Sequence, residues 1–324
     1  MSPAHALRRA TETKIGKPAT HCQGQRYSPP VTISEEYLLE QLIKQSNQAK
    51  KWHKKVTEGL GPVTPDSDLD IDNKKTRPYQ IGFAAWNSIS VAVDHYHCLW
   101  TLLTPENPDC PDYNKRPILH TYAPLSLLRG AFENASTAIW LLGGEKRKER
   151  ITRRLRLAFS DINNMKYAVE DLTNFQKELE KGLINQAKGH KESELLGQMD
   201  QYRREVKGKL EKIARNNDID EKDWQRGVRP GEIIQGAAEA AEFSASHAKL
   251  TWRVCSATAH GDEWALRVLP ILTPIDDRSP DDASGAVPMH SEVNTQTLLG
   301  IVQLVTHAIR KALILYKSRA ELHQ

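Results

Sequence analysis

The sequence predicts an all-α fold: a multi-helix bundle carrying a long inserted antiparallel helical hairpin. Apolar residues recur at spacings of three and four through most segments outside the proline-rich stretches. No segment shows the two-residue alternation of a half-buried strand. Two long apolar stripes follow one another between residues 145 and 216 with a short break near Gly189. A chain of 324 residues, 39% hydrophobic and 27% charged, has an ordinary globular composition and is long enough to bury a sizeable core.

Residues 1–30 are polar and basic (Arg8, Arg9, Lys14, Lys17, Arg26) and end in Pro29-Pro30, which predicts a disordered arm. Residues 31–324 form one helical domain. Thr32 and Glu35 match a capping box, so a helix is expected from Thr32 to about Leu60, stopped by Gly59 and Gly61. Pro62, Pro65 and Pro78 with several aspartates make 61–79 a loop. Over about 80–103, one face carries Phe83, Trp86, Ser90, Val93, His97 and Trp100, and a neighbouring stripe carries Ala85, Ile89, Ala92, Tyr96, Leu99 and Leu103. A helix apolar around most of its circumference sits centrally.

The helix expected over 121–142 presents Leu125, Leu128, Phe132, Ala135, Ile139 and Leu142, and Gly143-Gly144 end it. Ile151 to Leu172 and Leu196 to Ile213 supply the seams of the 145–216 hairpin insertion. Residues 216–229 are charged and irregular. Pro230 suits the first turn of a helix to about Phe243, and another is expected over 245–260, ending at Gly261, beyond which Asp262 can cap a further short one. Residues 270–291, with four prolines, read as a surface loop before a final helix over 292–320.

The net charge of +4 does not by itself identify a nucleic-acid partner. Cys22, Cys98, Cys110 and Cys255 form no CxxC, which argues against a zinc ribbon, a thioredoxin-like site or a disulfide scaffold, and fits reduced thiols in the cytoplasm. The N-terminus lacks the apolar run of a signal peptide. The stretch Leu298 to Leu315 is interrupted by Gln303, His307, Arg310 and Lys311, which predicts a buried helix and no membrane partner.

The segment Trp252-Arg253-Val254-Cys255-Ser256-Ala257-Thr258-Ala259-His260-Gly261 is the main candidate for chemistry. At about 100° per residue, seven steps bring His260 back to the face of Arg253, with a rise of roughly 10 Å. Ser256 and Ala257 between them are small, so a trough is expected with a fixed cation at one end and an imidazole at the other. A guanidinium can clamp a phosphate, and an imidazole can transfer the proton of a ribose hydroxyl or leaving oxygen. The plain alternative is a structural ion pair at Arg253 and a helix-ending residue at His260.

An Arg and a His separated by four to six residues, on a late helix of an all-α bundle, resemble the HEPN superfamily, and Arg253-x6-His260 is at the upper end of that spacing. The run Leu128-Arg129-Gly130-Ala131-Phe132-Glu133-Asn134-Ala135-Ser136 is also similar to bacterial HEPN-like proteins. The resemblance covers 80–142 and 230–320. It implies a metal-independent endoribonuclease without cofactor, dimeric, with Arg253 and His260 catalytic, acting on RNA in a toxin–antitoxin or anti-phage system with an antitoxin or other protein partner. At Val254 the chain departs from the family pattern, which has a polar residue after the Arg. Inactive members serve as binding modules, so a non-catalytic helical module and an assembly scaffold stand beside the enzyme reading.

Arg129 and Glu133, one turn apart, fit an ion pair that fixes packing, or a carboxylate that orients Arg253 or His260. His97, on an apolar seam beside Ser90, fits a hydrogen-bonded core histidine or a supporting role at the site. Asp94 and His97 make a D-x-x-H pair without the second copy that a di-metal bundle needs, so no metal is expected. In Glu145–Arg156, Arg147, Arg150 and Arg154 fall on one side of the helix, away from Ile151 and Leu155. A solvated face and an RNA-binding face both fit that run.

Overall fold

The computed structural model describes residues 34–59, 61–104, 120–180, 190–268, 270–274 and 289–322. The predicted arm, 1–30, lies outside them, as does the predicted cap Thr32. From Glu35 onward the chain forms one unit, an all-α multi-helix bundle.

The helix expected up to Leu60 is two: α1 (Glu35–Ser46) and α2 (Gln48–Glu58). The break falls at Asn47, whose side-chain oxygen accepts the Trp100 indole N–H at 3.0 Å, and α2 ends at Gly59 with φ +84°. The expected loop 61–79 contains α3 (Asp68–Thr76), which the prolines on either side concealed. Ser67 caps it by accepting the Asp70 N–H at 3.3 Å, with acidic residues in the first turn and Lys74 and Lys75 in the last. This short helix turns Leu69 and Asp72 into the interior.

Helices α4 (Ile81–Leu103) and α5 (Ala123–Leu142) pack along each other at the centre. On α4 the stripe through Ala85, Ile89, Ala92, Tyr96, Leu99 and Leu103 is the buried one, whereas Phe83 on the other predicted face is 71% exposed. All six predicted core positions of α5 are buried. The hairpin is α6 (Arg147–Glu180) and α7 (His190–Asn216). They run antiparallel, because the start of α6 and the residue after α7 both reach α3: Arg150 pairs with Asp72, and the Asn217 amide donates to the Lys75 carbonyl. Ile151, Leu155, Ala158 and Ile162 are buried at the base of α6, as are Val206, Leu210 and Ile213 on α7. Met165, Val169 and Leu172 farther along are only half-buried, since two helices alone cannot enclose a seam.

A short α8 (Glu221–Trp224) buries Trp224 edge-on against Phe159. Then come α9 (Pro230–Ala241), α10 (Ala245–His260) and α11 (Glu263–Val268). The predicted loop 270–291 instead begins and ends in strands. β1 (Pro270–Pro274) pairs antiparallel with β2 (Met289–Val293), Pro270 opposite Val293, a ribbon that the proline count hid. Finally α12 (Thr295–Ala320) packs on α1, α4 and α5, tied to α4 by a 2.6 Å hydrogen bond between the Tyr96 and Thr306 hydroxyls. By length and composition α12 is apolar enough to cross a membrane, with a mean hydropathy of 1.6, but 61% of that window is buried within the bundle.

Candidate functional site

The site is built where α10 ends against α5. Ser244 caps α10 at its start, accepting the His247 N–H. Gly261, at φ +74°, ends it, with the Gly261 and Asp262 N–H groups returning to the Thr258 and Ala257 carbonyls. Ala248, Thr251, Val254, Cys255 and Thr258 face the interior. Lys249, Arg253, Ser256 and His260, at spacings of four, three and four, therefore form the outward stripe.

On α5, Arg129 and Glu133 face this helix. The Arg129 Nε–H donates to Glu133 Oε1 at 3.0 Å, and the Trp252 indole N–H donates to the same oxygen at 2.6 Å. The other side of the guanidinium reaches His260, with Arg129 Nη1 to His260 Nε2 at 3.1 Å. A guanidinium can only donate, so in this contact His260 Nε2 is the acceptor. Trp252, Glu133, Arg129 and His260 thus form one relay, in which Glu133 braces Arg129 against the imidazole. Arg129 and Glu133 are about a third exposed, and His260 is exposed, so the end of the relay is open to solvent.

Glu133 therefore orients His260 only through Arg129, and it does not reach Arg253. Among the described residues Arg253 makes no ion pair or hydrogen bond, and it is exposed. The predicted trough is open on one side only: Ser256 is half-buried, but Ala257 is packed inward at 4% exposure. Val254 faces the core, one step around the helix from Arg253. Burial, with the Glu133 charge adding to it, pushes the neighbouring Cys255 thiol up to about 12, so it is no nucleophile at neutral pH.

His97 is neither a core histidine nor part of the relay. It points toward α2, its ring stacked on His53 at 4.1 Å and beside Trp100 at 5.5 Å. Burial, and then the charges of His53 and Lys50, hold its imidazole below the ordinary range against an opposing pull from Asp94. Among the described residues no three metal-ligating side chains cluster around Asp94 and His97 or elsewhere. The α4 histidine on the α5 side is His95, which the sequence reading missed. Its Nδ1–H donates to the Val91 carbonyl at 2.9 Å, and its ring lies so close to Gly130 that a Cβ there would sit 2.4 Å from Cδ2. The alternation in His95-Tyr96-His97 carried the signal, since two steps on a helix point the imidazoles to nearly opposite sides.

Of the three proposed RNA-binding arginines, Arg150 and Arg154 are buried, and Arg147, 39% exposed, is held in an ion pair. Arg150 is 2% exposed, donating Nε and Nη2 to Asp72 at 2.5 and 3.1 Å and Nη1 to the Gly144 and Glu145 carbonyls. Arg147 donates to Asp72 at 3.0 Å, and Arg154 is 8% exposed with its guanidinium 5.7 Å from the Tyr79 ring. For Arg147 and Arg150 the reason is α3: a helix where a loop was expected closes over the start of α6 and draws both to Asp72. Near the start of α6, the exposed Lys146 and Lys148 and the partly exposed Arg153 line a cleft of 590 Å³ against α9.

Comparison with protein-family models, with curated proteins and with solved structures finds no match to this chain.

Proposed function

We propose that the chain is a HEPN-like, metal-independent endoribonuclease in which Arg129, rather than Arg253, is the cation that works with His260. The observation that carries this reading is the 3.1 Å contact between Arg129 Nη1 and His260 Nε2, braced from behind by Glu133. An incoming phosphodiester competes for the Arg129 N–H groups and draws them onto its non-bridging oxygens. That releases the Nε2 lone pair, which takes the proton of the ribose 2′-hydroxyl. The 2′-oxygen attacks phosphorus and the bond to the 5′-oxygen breaks; the protonated His260 ring gives its proton to that leaving oxygen, directly or through a water, which yields a 2′,3′-cyclic phosphate and a 5′-hydroxyl and returns the imidazole to its starting form. Arg129 stabilises the charge that accumulates on phosphorus-bound oxygen. In keeping with the resemblance, the working form is a cytoplasmic homodimer in a toxin–antitoxin or anti-phage setting, with a protein partner restraining it.

The test is cleavage of single-stranded RNA in the presence of a chelator. His260→Ala is expected to lose on the order of 10²–10⁴-fold in rate. Arg129→Ala falls comparably, while Arg253→Ala retains most of its turnover. Intact RNA with both wild type and His260→Ala overturns the enzyme reading. A second reading, a non-catalytic module that binds RNA, nucleotide or protein, draws on Arg253: an exposed cation with no partner among the described residues, followed by a buried Val254. It predicts RNA binding without turnover. The exposed Tyr167, Phe175 and Tyr202 on the hairpin favour a further role in assembly.

A further inference from the structure

We infer that the cleft between α6 and α9 is a second subsite for the same RNA strand, joined to the Arg129–His260 site by the outward stripe of α10; this rests on the reading above. The cleft has a volume of 590 Å³, and its floor is Trp140 of α5. Trp140 is 3% exposed, and the Arg153 and Arg156 guanidinium groups lie 5.4 and 5.8 Å from its ring. Two of the cleft's carboxylates are already engaged: Glu232 takes both Nη groups of Arg156, at 2.6 and 2.7 Å, and Glu149 takes Arg153. Lys146 and Lys148 are exposed and form no ion pair among the described residues, and Arg226, 63% exposed, has only a long 3.4 Å contact to Glu232. These three cations face solvent with spare N–H groups, opposed by the single remaining carboxylate, Glu239. Exposed cations with spare N–H groups around a concavity are a means by which proteins track a single-stranded phosphate backbone.

The cleft and the relay are physically connected. Gln235, on the cleft wall, accepts from Lys249 Nζ at 2.5 Å, and Lys249 begins the stripe that continues through Arg253 and Ser256 to His260. Eleven residues of helix separate Lys249 from His260, a run of roughly 16 Å. Arg253 stands between them with no hydrogen bond or ion pair among the described residues, a position that suits an intervening phosphate. Along α5, Arg129 and Trp140 are likewise eleven residues apart and share a face, so α5 sets the same spacing from behind.

The experiment measures binding in a His260→Ala background by fluorescence anisotropy. The probes are a labelled single-stranded RNA long enough to span both subsites and a dinucleotide too short to do so. Lys148→Ala/Arg226→Ala is expected to bind the long RNA on the order of tenfold more weakly, with a salt slope shallower by about 1.4. The dinucleotide is expected to bind unchanged. The control, Lys166→Ala/Lys207→Ala, removes the same charge from the exposed hairpin and keeps full affinity. Undiminished binding by the cleft variant, with His260-dependent cleavage intact in the wild-type background, overturns the subsite and leaves the enzyme reading standing. An equal loss in the control reduces the effect to net charge and also overturns it. Absence of RNA binding by every protein removes both readings.

Discussion

Removing the Asp72 carboxylate tests the account of α6 most directly. Asp72 is 1% exposed and accepts three N–H groups, two from Arg150 and one from Arg147. In Asp72→Ala the buried Arg150 retains only its carbonyl partners and a distant Asp68, 3.8 Å away. Breaking such a pair by deleting one member costs about 3–5 kcal/mol, and the residual partners place this case near 3. With a urea dependence of about 3 kcal/mol per molar, the unfolding midpoint falls by about 1 M. Asp72→Ala/Arg150→Met regains a large part of that loss, because no unpaired charge is then buried. The Gly144 carbonyl stays satisfied in the double variant, since Arg319 also donates to it. Urea unfolding followed by circular dichroism measures both. A midpoint for Asp72→Ala within about 0.3 M of wild type, or a double variant no better than the single, refutes the reasoning.

Three other outcomes follow. Burial works to raise the Asp68 carboxyl but is outweighed by the hydrogen bond from Arg319 and the charges of Arg150, Arg319 and Arg147, so it titrates below its ordinary 3.8. The Arg156 hydrogen bond, against burial, likewise lowers Glu232 below 4.5. Both contribute stability that is complete above those ordinary values and disappears as pH falls through the lower folded ones, so the urea midpoint holds from neutrality to about pH 5 and drops below it, where a flat profile would contradict the pairing. Arg154 has Nε and Nη1 buried without hydrogen-bond partners, so Arg154→Met is expected to leave thermal stability unchanged or raised, and a loss of several degrees would show the charge to be needed. In native protein treated with iodoacetamide, Cys98 reacts and Cys255 does not, as peptide mass spectrometry can check; rapid labelling of Cys255 would mean that the α5–α10 contact opens.

The legible parts of the fold were those set by local periodicity. The three/four spacing of Leu125 through Leu142 marks the buried face of α5, and Gly261 marks the end of α10, which leaves the His260 side chain at an open edge. What escaped was non-local or masked by a stronger local signal. Pro62, Pro65 and Pro78 argued for a loop, while the Ser67 cap with Asp68 and Asp70 behind it argued more quietly for a helix. Missing α3 then propagated, because nothing else reveals that Arg150 has a carboxylate to bury against. Arg129 and His260 stand 131 positions apart, and only the packing of α10 on α5 makes them neighbours. A spacing rule along one helix selects Arg253 instead, which lies on the same outward face as His260 but lacks a bracing carboxylate among the described residues.

The half-buried seam of the hairpin implies uneven cohesion along its length. Near the body, Ile151 and Leu210 lie in the main core, so amides there open only with the whole unit. Beyond Ile162 each helix has just the other for shelter, and its backbone amides exchange with solvent through local fraying. A hydrogen–deuterium record would fade from slow to fast along α6. The outer half is therefore the part of the molecule that can be shortened, extended or reshaped against a binding partner while the bundle beneath it keeps its form.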